Sequence, residues 1–259
     1  MPLKANYTEF HMNRINPDEV KSQYRSSEAV SHYEAAAIDI GLWRSEEAVF
    51  RRIFTNEQTL LELGCGAGRI SLGMWELGYR GVMGTDFSRE MITTARRLAG
   101  KLGYSVPLRV ADATKLAFED HMFGGVIFGF NGIMQIPSRE SRQQALKEMR
   151  RVTEPDGRGV FTTHDRSVGS PVGFWQDERE RWRHGKQDSR LDAFGDLIMS
   201  SDYGKTFIHI PEREEIVEDL QVSGWTLLED AMRSEIASEP DDVKQFSTDC
   251  RFWVVENLI

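Results

Sequence analysis

Leu60-Leu61-Glu62-Leu63-Gly64-Cys65-Gly66-Ala67-Gly68-Arg69-Ile70-Ser71-Leu72 reads as a short buried strand, a glycine turn and the start of a helix. Leu60 to Leu63 supply an apolar run, and glycines at alternate positions let the backbone turn sharply and come close to whatever lies above it. Backbone N–H groups at the start of the following helix then face that ligand. A dinucleotide fingerprint wants glycines at its first, third and sixth positions, with pyrophosphate on the helix N-terminus. Here the sixth position is Arg69, and the third glycine falls one residue early, at Gly68. A tight turn without a ligand is the competing reading, and the residues that follow weigh against it.

Ile70, Leu72, Trp75 and Leu77 continue the helix, and Gly78 is placed to end it. Gly81 to Asp86 forms a second strand that finishes on a carboxylate 18 positions after Gly68. An acid at that place can accept both hydroxyls of a ribose. Ser88 is a natural N-cap for the next helix, with Met91, Ile92, Ala95 and Leu98 behind it. Leu108 to Ala113 is a third strand, again ending on an acid, Asp112. Gly124 to Asn131 is a fourth, apolar throughout as a buried parallel strand should be. A helix from Ser141 to Val152 and a turn at Asp156-Gly157 lead into a fifth strand, Gly159 to Asp165. Strands and helices alternating in this way predict a parallel, doubly wound α/β sheet.

Residues 46–165 thus form a nucleotide-binding core with three attached segments. Residues 1–45 carry two helical patterns, near Asp18 to Tyr24 and Glu28 to Ile40, and read as an N-terminal cap whose Tyr24 and Tyr33 either lie across the site or simply pack beside it. Ser45 is the expected N-cap of the next helix, with Glu46 and Glu47 opposing its dipole. Residues 166–206 show no clear strand and read as an inserted lid, with Trp175 and Trp182 on one face of a helix. In residues 207–259 a helix starting at Pro211 and ended by Gly224 precedes two late strands, Trp225 to Met232 and Arg251 to Val255, joined by a polar, loop-like stretch from Ser238 to Asp249.

The 259-residue chain has ample core at 40% hydrophobic residues, and its formal charge of −9 repels a polyanion, which counts against nucleic acid as substrate. Cys65 and Cys250 are too isolated for a disulfide framework or a metal site and read as reduced thiols. The N-terminal Met1-Pro2-Leu3-Lys4 stretch lacks an apolar signal core, and no apolar run approaches a membrane span. A cytoplasmic protein without membrane partners or bound metal is expected.

With Glu62-Leu63-Gly64-Cys65-Gly66-Ala67-Gly68, Asp86 and Asp112-Ala113 assembled, the chain resembles the class I S-adenosylmethionine-dependent methyltransferases. The resemblance runs from about Leu60 to Arg166 and resumes from Ile208 to the C-terminus. It implies a Rossmann-like sheet of seven strands with an antiparallel last strand. S-adenosylmethionine would be the cofactor and S-adenosylhomocysteine the product. The loop Gly64-Cys65-Gly66-Ala67-Gly68 would pass under the methionine portion, with Glu62 orienting that end. Asp86 would hold the ribose, Phe87 and Met91 the adenine face, and Asp112 with the Ala113 backbone its polar edge. Asn131 matches the position nearest the methionine group and the incoming substrate. The Asn-Pro-Pro-Tyr tetrapeptide of base-amine methylating enzymes is missing, since this position reads Phe130-Asn131-Gly132-Ile133. The expected activity is methyl transfer to an oxygen or nitrogen of a small molecule. A cofactor-binding regulatory protein without turnover is the alternative, and a nicotinamide dehydrogenase is disfavoured by Arg69. A base is needed only if the acceptor must lose a proton. His164, beside Asp165 at the end of the fifth strand, is the first candidate for it and His209 the second. Arg233 and Arg251 could pair with an anionic substrate or with local carboxylates. The oligomeric state is not legible.

Overall fold

The computed structural model describes residues 14–168, 173–201 and 204–258. The expectation about the N-terminal leader concerns residues 1–13 and lies outside them. In chain order the elements are α1 (Pro17–Gln23), α2 (Ser27–Ala35), α3 (Arg44–Ile53), β1 (Leu60–Leu63), α4 (Arg69–Glu76), β2 (Val82–Asp86), α5 (Arg89–Leu102), β3 (Leu108–Val110), β4 (Phe123–Phe128), α6 (Arg139–Val152), β5 (Thr153–Thr163), α7 (Phe174–Arg183), β6 (Asp196–Ser201), β7 (Gly204–His209), α8 (Arg213–Ser223), β8 (Thr226–Met232), α9 (Arg233–Ile236), α10 (Asp241–Phe246) and β9 (Arg251–Glu256).

All four residues of β1 are buried, which requires cover on both faces of the sheet. Alternation along the strand sends Leu60 into one apolar cluster with Ile70, Met74 and Ile92, and Leu61 and Leu63 into another with Met149, Phe161 and Trp225. Glu62 shares the face of Leu60 and is driven beneath α4, where the Ser71 hydroxyl donates to it. The seven strands run in the order β3-β2-β1-β4-β5-β9-β8. The strands from β3 to β5 in that order pair in parallel, and β9 is inserted antiparallel between β5 and β8. This is the doubly wound, Rossmann-like sheet with an antiparallel last strand that the sequence predicted.

Several local expectations need correction. Trp43, and not Ser45, is the N-cap of α3: the Glu46 side chain accepts the Trp43 N–H at 2.9 Å, and Glu239 accepts those of Arg44 and Ser45 at 3.0 and 2.8 Å. A carboxylate nearly two hundred residues away does the work expected of the local hydroxyl, and Ser45 is buried inside the first turn. The expected turn at Asp156-Gly157 is a bulge within β5: pairing with β4 steps from Phe123↔Thr153 to Gly125↔Arg158, Asp156 stands at φ 59°, and its N–H reaches the Asn257 carbonyl at 2.9 Å. The helix after Pro211 starts at Arg213, and the stretch from Ser238 to Asp249 contains α10. The segment 166–206 does hold a strand: β6 pairs antiparallel with β7 from Asp196↔His209 to Ser201↔Gly204, forming a hairpin outside the main sheet that crosses the expected boundary at residue 206. Trp175 and Trp182 both pack on Phe194, at 5.7 and 6.2 Å between ring centroids, so α7 is fastened to the start of this hairpin.

Arg69 fastens the turn at Gly41 and the start of α3 to the glycine loop. Its guanidinium meets Glu46 through two hydrogen bonds of 2.6 and 2.5 Å, donates to the Gly41 carbonyl at 2.8 Å, and lies over the rings of Trp43 and Phe130 at 4.7 and 5.4 Å. Both charged side chains are buried. Removing one member of such a pair strands the other charge, at a cost of about 3–5 kcal/mol, whereas replacing both by apolar groups costs far less. Glu46→Gln is therefore expected to lower the unfolding free energy by about that amount and the double change Glu46→Leu with Arg69→Met by clearly less. Urea titrations monitored by tryptophan fluorescence measure both, and equal losses in the two proteins would show that the pair does not anchor the cap.

Candidate functional site

The glycine loop turns over the carboxyl ends of β1 and β2. Gly66, at φ 54°, donates its N–H to Asp86 Oδ2 at 2.9 Å, and Ser88 donates its N–H to Asp86 Oδ1 at 2.8 Å. The Cys65 N–H reaches the Thr85 carbonyl at 2.8 Å. Asp86 thus knits loop, strand end and helix start together. Burial nonetheless outweighs these two N–H donors and pushes its carboxyl up to about 6. Glu62 is more deeply enclosed: burial pushes it up to about 7, opposed by the Ser71 hydroxyl and the nearby Arg69 charge.

A cavity of about 260 Å³ opens above this loop. Leu63, Gly64 and Gly66 form its floor; Asp86, Phe87 and Met91 form one wall, and Ala111 to Thr114 a second. Phe128 to Phe130 and Gln135 to Pro137 lie opposite, and Val20, Lys21, Tyr24 and Tyr33 roof it. A smaller cavity of about 30 Å³ shares Tyr33, Gly64, Gly66 and Phe130 and reaches Glu62, Cys65 and Arg69. At the β3 end, Asp112 Oδ1 accepts the N–H and hydroxyl of Thr114 at 3.0 and 2.7 Å, and Oδ2 accepts the Lys21 ammonium at 2.6 Å. Partial burial works to raise the Asp112 carboxyl, but Lys21 and Thr114 together hold it below its ordinary value.

Of the residues read from the sequence, Gly64, Gly66, Asp86, Phe87, Met91, Asp112, Ala113, Tyr24 and Tyr33 come together around the larger cavity, and Glu62 and Cys65 around the smaller. Gly68 lines neither; it sits where a Cβ would come within 3.2 Å of Ala95, so it lets the loop close on α5. Burial of the Cys65 thiol pushes it well above its ordinary range, so it sits there as an apolar group.

Asn131 and His164 also lie outside both linings. They face each other, Asn131 Nδ2 to His164 Nε2 at 3.3 Å, while His164 Nδ1 meets the Asp249 carbonyl at 2.9 Å. A carbonyl only accepts, so the ring proton sits on Nδ1 and Nε2 accepts from Asn131. Burial lowers the imidazole further, which leaves it neutral with both nitrogens engaged. His209 is held between Asp196 and Glu215, at 2.7 Å to each, and ties the hairpin to α8. Arg251 pairs with Asp165 and Asp230, at 3.0 and 2.6 Å, and Arg233 stacks on Trp43. Sequence reasoning missed Lys21, although it stands three residues before Tyr24, the C-cap of α1, a spacing that could have revealed it. It also missed the wall from Gln135 to Pro137, which carries no motif.

A family described as "Methyltransferase domain" matches residues 60–157. A demethylmenaquinone methyltransferase of Geobacillus stearothermophilus is 33% identical over 196 residues, covering 72% of this chain and 78% of the relative. A protein of Bdellovibrio bacteriovorus named as a ubiquinone/menaquinone biosynthesis C-methyltransferase is 28% identical over 163 residues, 61% of this chain and 66% of that one. Against several other curated relatives the chain spans about half of their length. A solved structure from Methanosarcina mazei, described as a SAM-dependent methyltransferase, superposes with a TM-score of 0.65 at 18% identity, covering 85% of this chain and 99% of that one. Among the described residues no helix is long and apolar enough to cross a membrane.

The raised carboxyls give a pH signature. Glu62 holds its proton in the folded chain up to about pH 7 but releases it near 4.5 when unfolded. Between those values the unfolded state binds fewer protons, so stability falls as pH rises, and above about 7 the loss is complete. Glu62→Gln removes this slope. Thermal unfolding at pH 5 and at pH 7.5 is expected to show the variant gaining on the parent at the higher pH; an equal difference at both would place the Glu62 proton elsewhere.

Proposed function

We propose that this chain, which belongs to the class I S-adenosylmethionine-dependent methyltransferases, binds S-adenosylmethionine in the cavity above the glycine loop and transfers its methyl group to a small molecule, leaving S-adenosylhomocysteine. The observation that carries this reading is Asp86: a buried carboxylate, fixed by the Gly66 and Ser88 N–H groups, on the cavity wall at the end of β2. Each oxygen there retains capacity for a further donor, which suits the two hydroxyls of a ribose. Phe87 and Met91 offer apolar surface to a purine and Asp112 an acceptor for its amino group. Gly64 and Gly66 leave room for the chain of methionine, and Glu62, reached from the smaller cavity, suits its ammonium group. Carboxylates at the ends of three successive strands fit a ligand that carries positive charge on sulfur and nitrogen.

Bound in this way, the cofactor supplies a methyl carbon already attached to a good leaving group. The residues of the chain have to orient the acceptor, exclude water and, for some acceptors, take a proton. The engaged, neutral imidazole of His164 supports a positioning role for the Asn131–His164 pair, which stands behind the Phe130 and Gly132 wall of the cavity, over that of a free base. The acceptor is then a nucleophile that arrives with its electron pair available: a phenolate oxygen, an unprotonated amine or a stabilised carbanion. This class contains the oxygen and nitrogen acceptors expected from the sequence, and also the carbon acceptor implied by the name of the Bdellovibrio relative. Of the cap at residues 1–45 and the insertion at residues 166–206, the cap is the one that lines the cavity among the described residues, through Val20, Lys21, Tyr24 and Tyr33.

Calorimetry is expected to give micromolar-order affinity for S-adenosylhomocysteine and a loss of about a hundredfold in Asp86→Ala, as two hydrogen bonds to a charged acceptor disappear; unchanged binding would remove Asp86 from the ribose. Incubation of S-adenosylmethionine with phenolic, amine and enolate acceptors, followed by detection of S-adenosylhomocysteine, tests turnover. Tight binding without product from any acceptor would favour the regulatory alternative.

A further inference from the structure

Lys21 stands on the face of α1 that roofs the cavity, and its ammonium meets Asp112 Oδ2 at 2.6 Å. Oδ1 of the same carboxylate is filled by the N–H and hydroxyl of Thr114, so Oδ2 is the oxygen with capacity for one more donor. Lys21 therefore borders the very acceptor that the proposed function gives to the purine amino group. The helix that carries it is seven residues long, too short to persist by itself. Its apolar attachments are Val20 and Tyr24, which cluster with Phe207 of β7, and Tyr24 also meets Phe87 edge-on at 6.0 Å between centroids. Its polar attachments are partly exposed ion pairs: Lys21 with Asp112, Glu19 with Arg190 at 3.1 Å, and, just before the helix, Arg14 with Asp192 at 2.8 Å. Such pairs are individually weak and sensitive to salt. The floor, by contrast, is built from β1, β2 and the loop knitted by Asp86, so α1 is held over the cavity by weaker polar contacts than those that build the floor.

We propose that Lys21 is a cofactor-holding residue and that α1 is a strap, lifting to admit the nucleoside end of S-adenosylmethionine and closing when Lys21 and Asp112 pair again beside the adenine. The inference rests on the proposed cofactor site. It adds a coupling, because the strap is bound at its other side to Arg190, Asp192 and Phe207: closing it over the cofactor also seats the segment that carries the hairpin. Cofactor first and acceptor second is the order of binding that follows.

Two measurements on the full-length chain test this. Hydrogen exchange of residues 17–24 is expected to slow on adding S-adenosylhomocysteine, and unchanged exchange in a sample that binds the ligand by calorimetry overturns the strap. Chase of radiolabelled S-adenosylmethionine with excess unlabelled S-adenosylhomocysteine gives the dissociation rate, expected to rise about tenfold in Lys21→Met and to stay near the parent value in Lys21→Arg. Glu19→Gln is expected to raise it by a smaller factor in the same direction. A parent-like rate in Lys21→Met, with ligand still bound, overturns the role of Lys21 and leaves the cofactor site standing. A parent chain that binds no S-adenosylhomocysteine overturns both.

Discussion

The buried pair between Arg69 and Glu46 is the interaction on which the rest of this site depends. Taking both charges out of water carries a penalty of several kcal/mol per ion, so the pair persists only because its remaining hydrogen-bonding groups are also satisfied. The guanidinium does this through two bonds to Glu46, one to the Gly41 carbonyl and stacking on Trp43 and Phe130. Trp43 receives Arg233 as well, at 4.9 Å, and the other oxygen contact of Glu46 is the Trp43 N–H that starts α3. A single side chain, placed one residue past the last glycine of the loop, thus fixes the start of α3, the turn at Gly41 and the ring of Phe130 at once. The end of the N-terminal cap, at Gly41 and Trp43, is bolted to the loop beneath the proposed methionine site, while α1 is held by contacts of its own.

That position also separates two chemistries. A glycine at residue 69 would let a pyrophosphate approach the helix N-terminus, as in dinucleotide folds. Arginine fills that approach and turns its charge backward, toward Glu46 and the Gly41 carbonyl, outside the lining of the larger cavity. What remains open to a ligand is a floor of Gly64 and Gly66 and a set of carboxylates, Glu62, Asp86 and Asp112, whose combined field repels phosphates and attracts cations.

The sheet was legible because its signals are local. A buried parallel strand needs a largely apolar run, and Phe123 to Phe128 has one, as does Leu60 to Leu63 apart from Glu62; the ends of β1, β2 and β3 are marked by turn residues and acids close in sequence. The cavity wall of Asp86, Phe87, Met91, Asp112 and Ala113 followed from the same marks. What was not legible depended on distant partners. Ser45 has every property of an N-cap, but Glu239 reaches the same N–H groups from the far end of the chain. His164 sits at a strand end as a base would, yet its role is decided by the Asp249 carbonyl and by Asn131. The hairpin of β6 and β7 pairs strands of mixed polarity whose apolar residues sit side by side and do not alternate, so no period-two pattern announces it.

The placement of compensating cations completes the electrostatic logic of the cleft. Two of its carboxyls, Glu62 and Asp86, are raised by burial, which means that the fold spends stability to keep acceptor groups where water does not reach them. Asp112 is the exception, lowered by a lysine that arrives on a short helix. The deeply buried carboxyls belong to β1 and β2, and Asp112, just past β3, is the one whose partner cation comes from the roof. A ligand bringing positive charge relieves the first two and must share the third with Lys21. Charge recognition and closure of the cap therefore meet at Asp112, the point where the roof touches the floor.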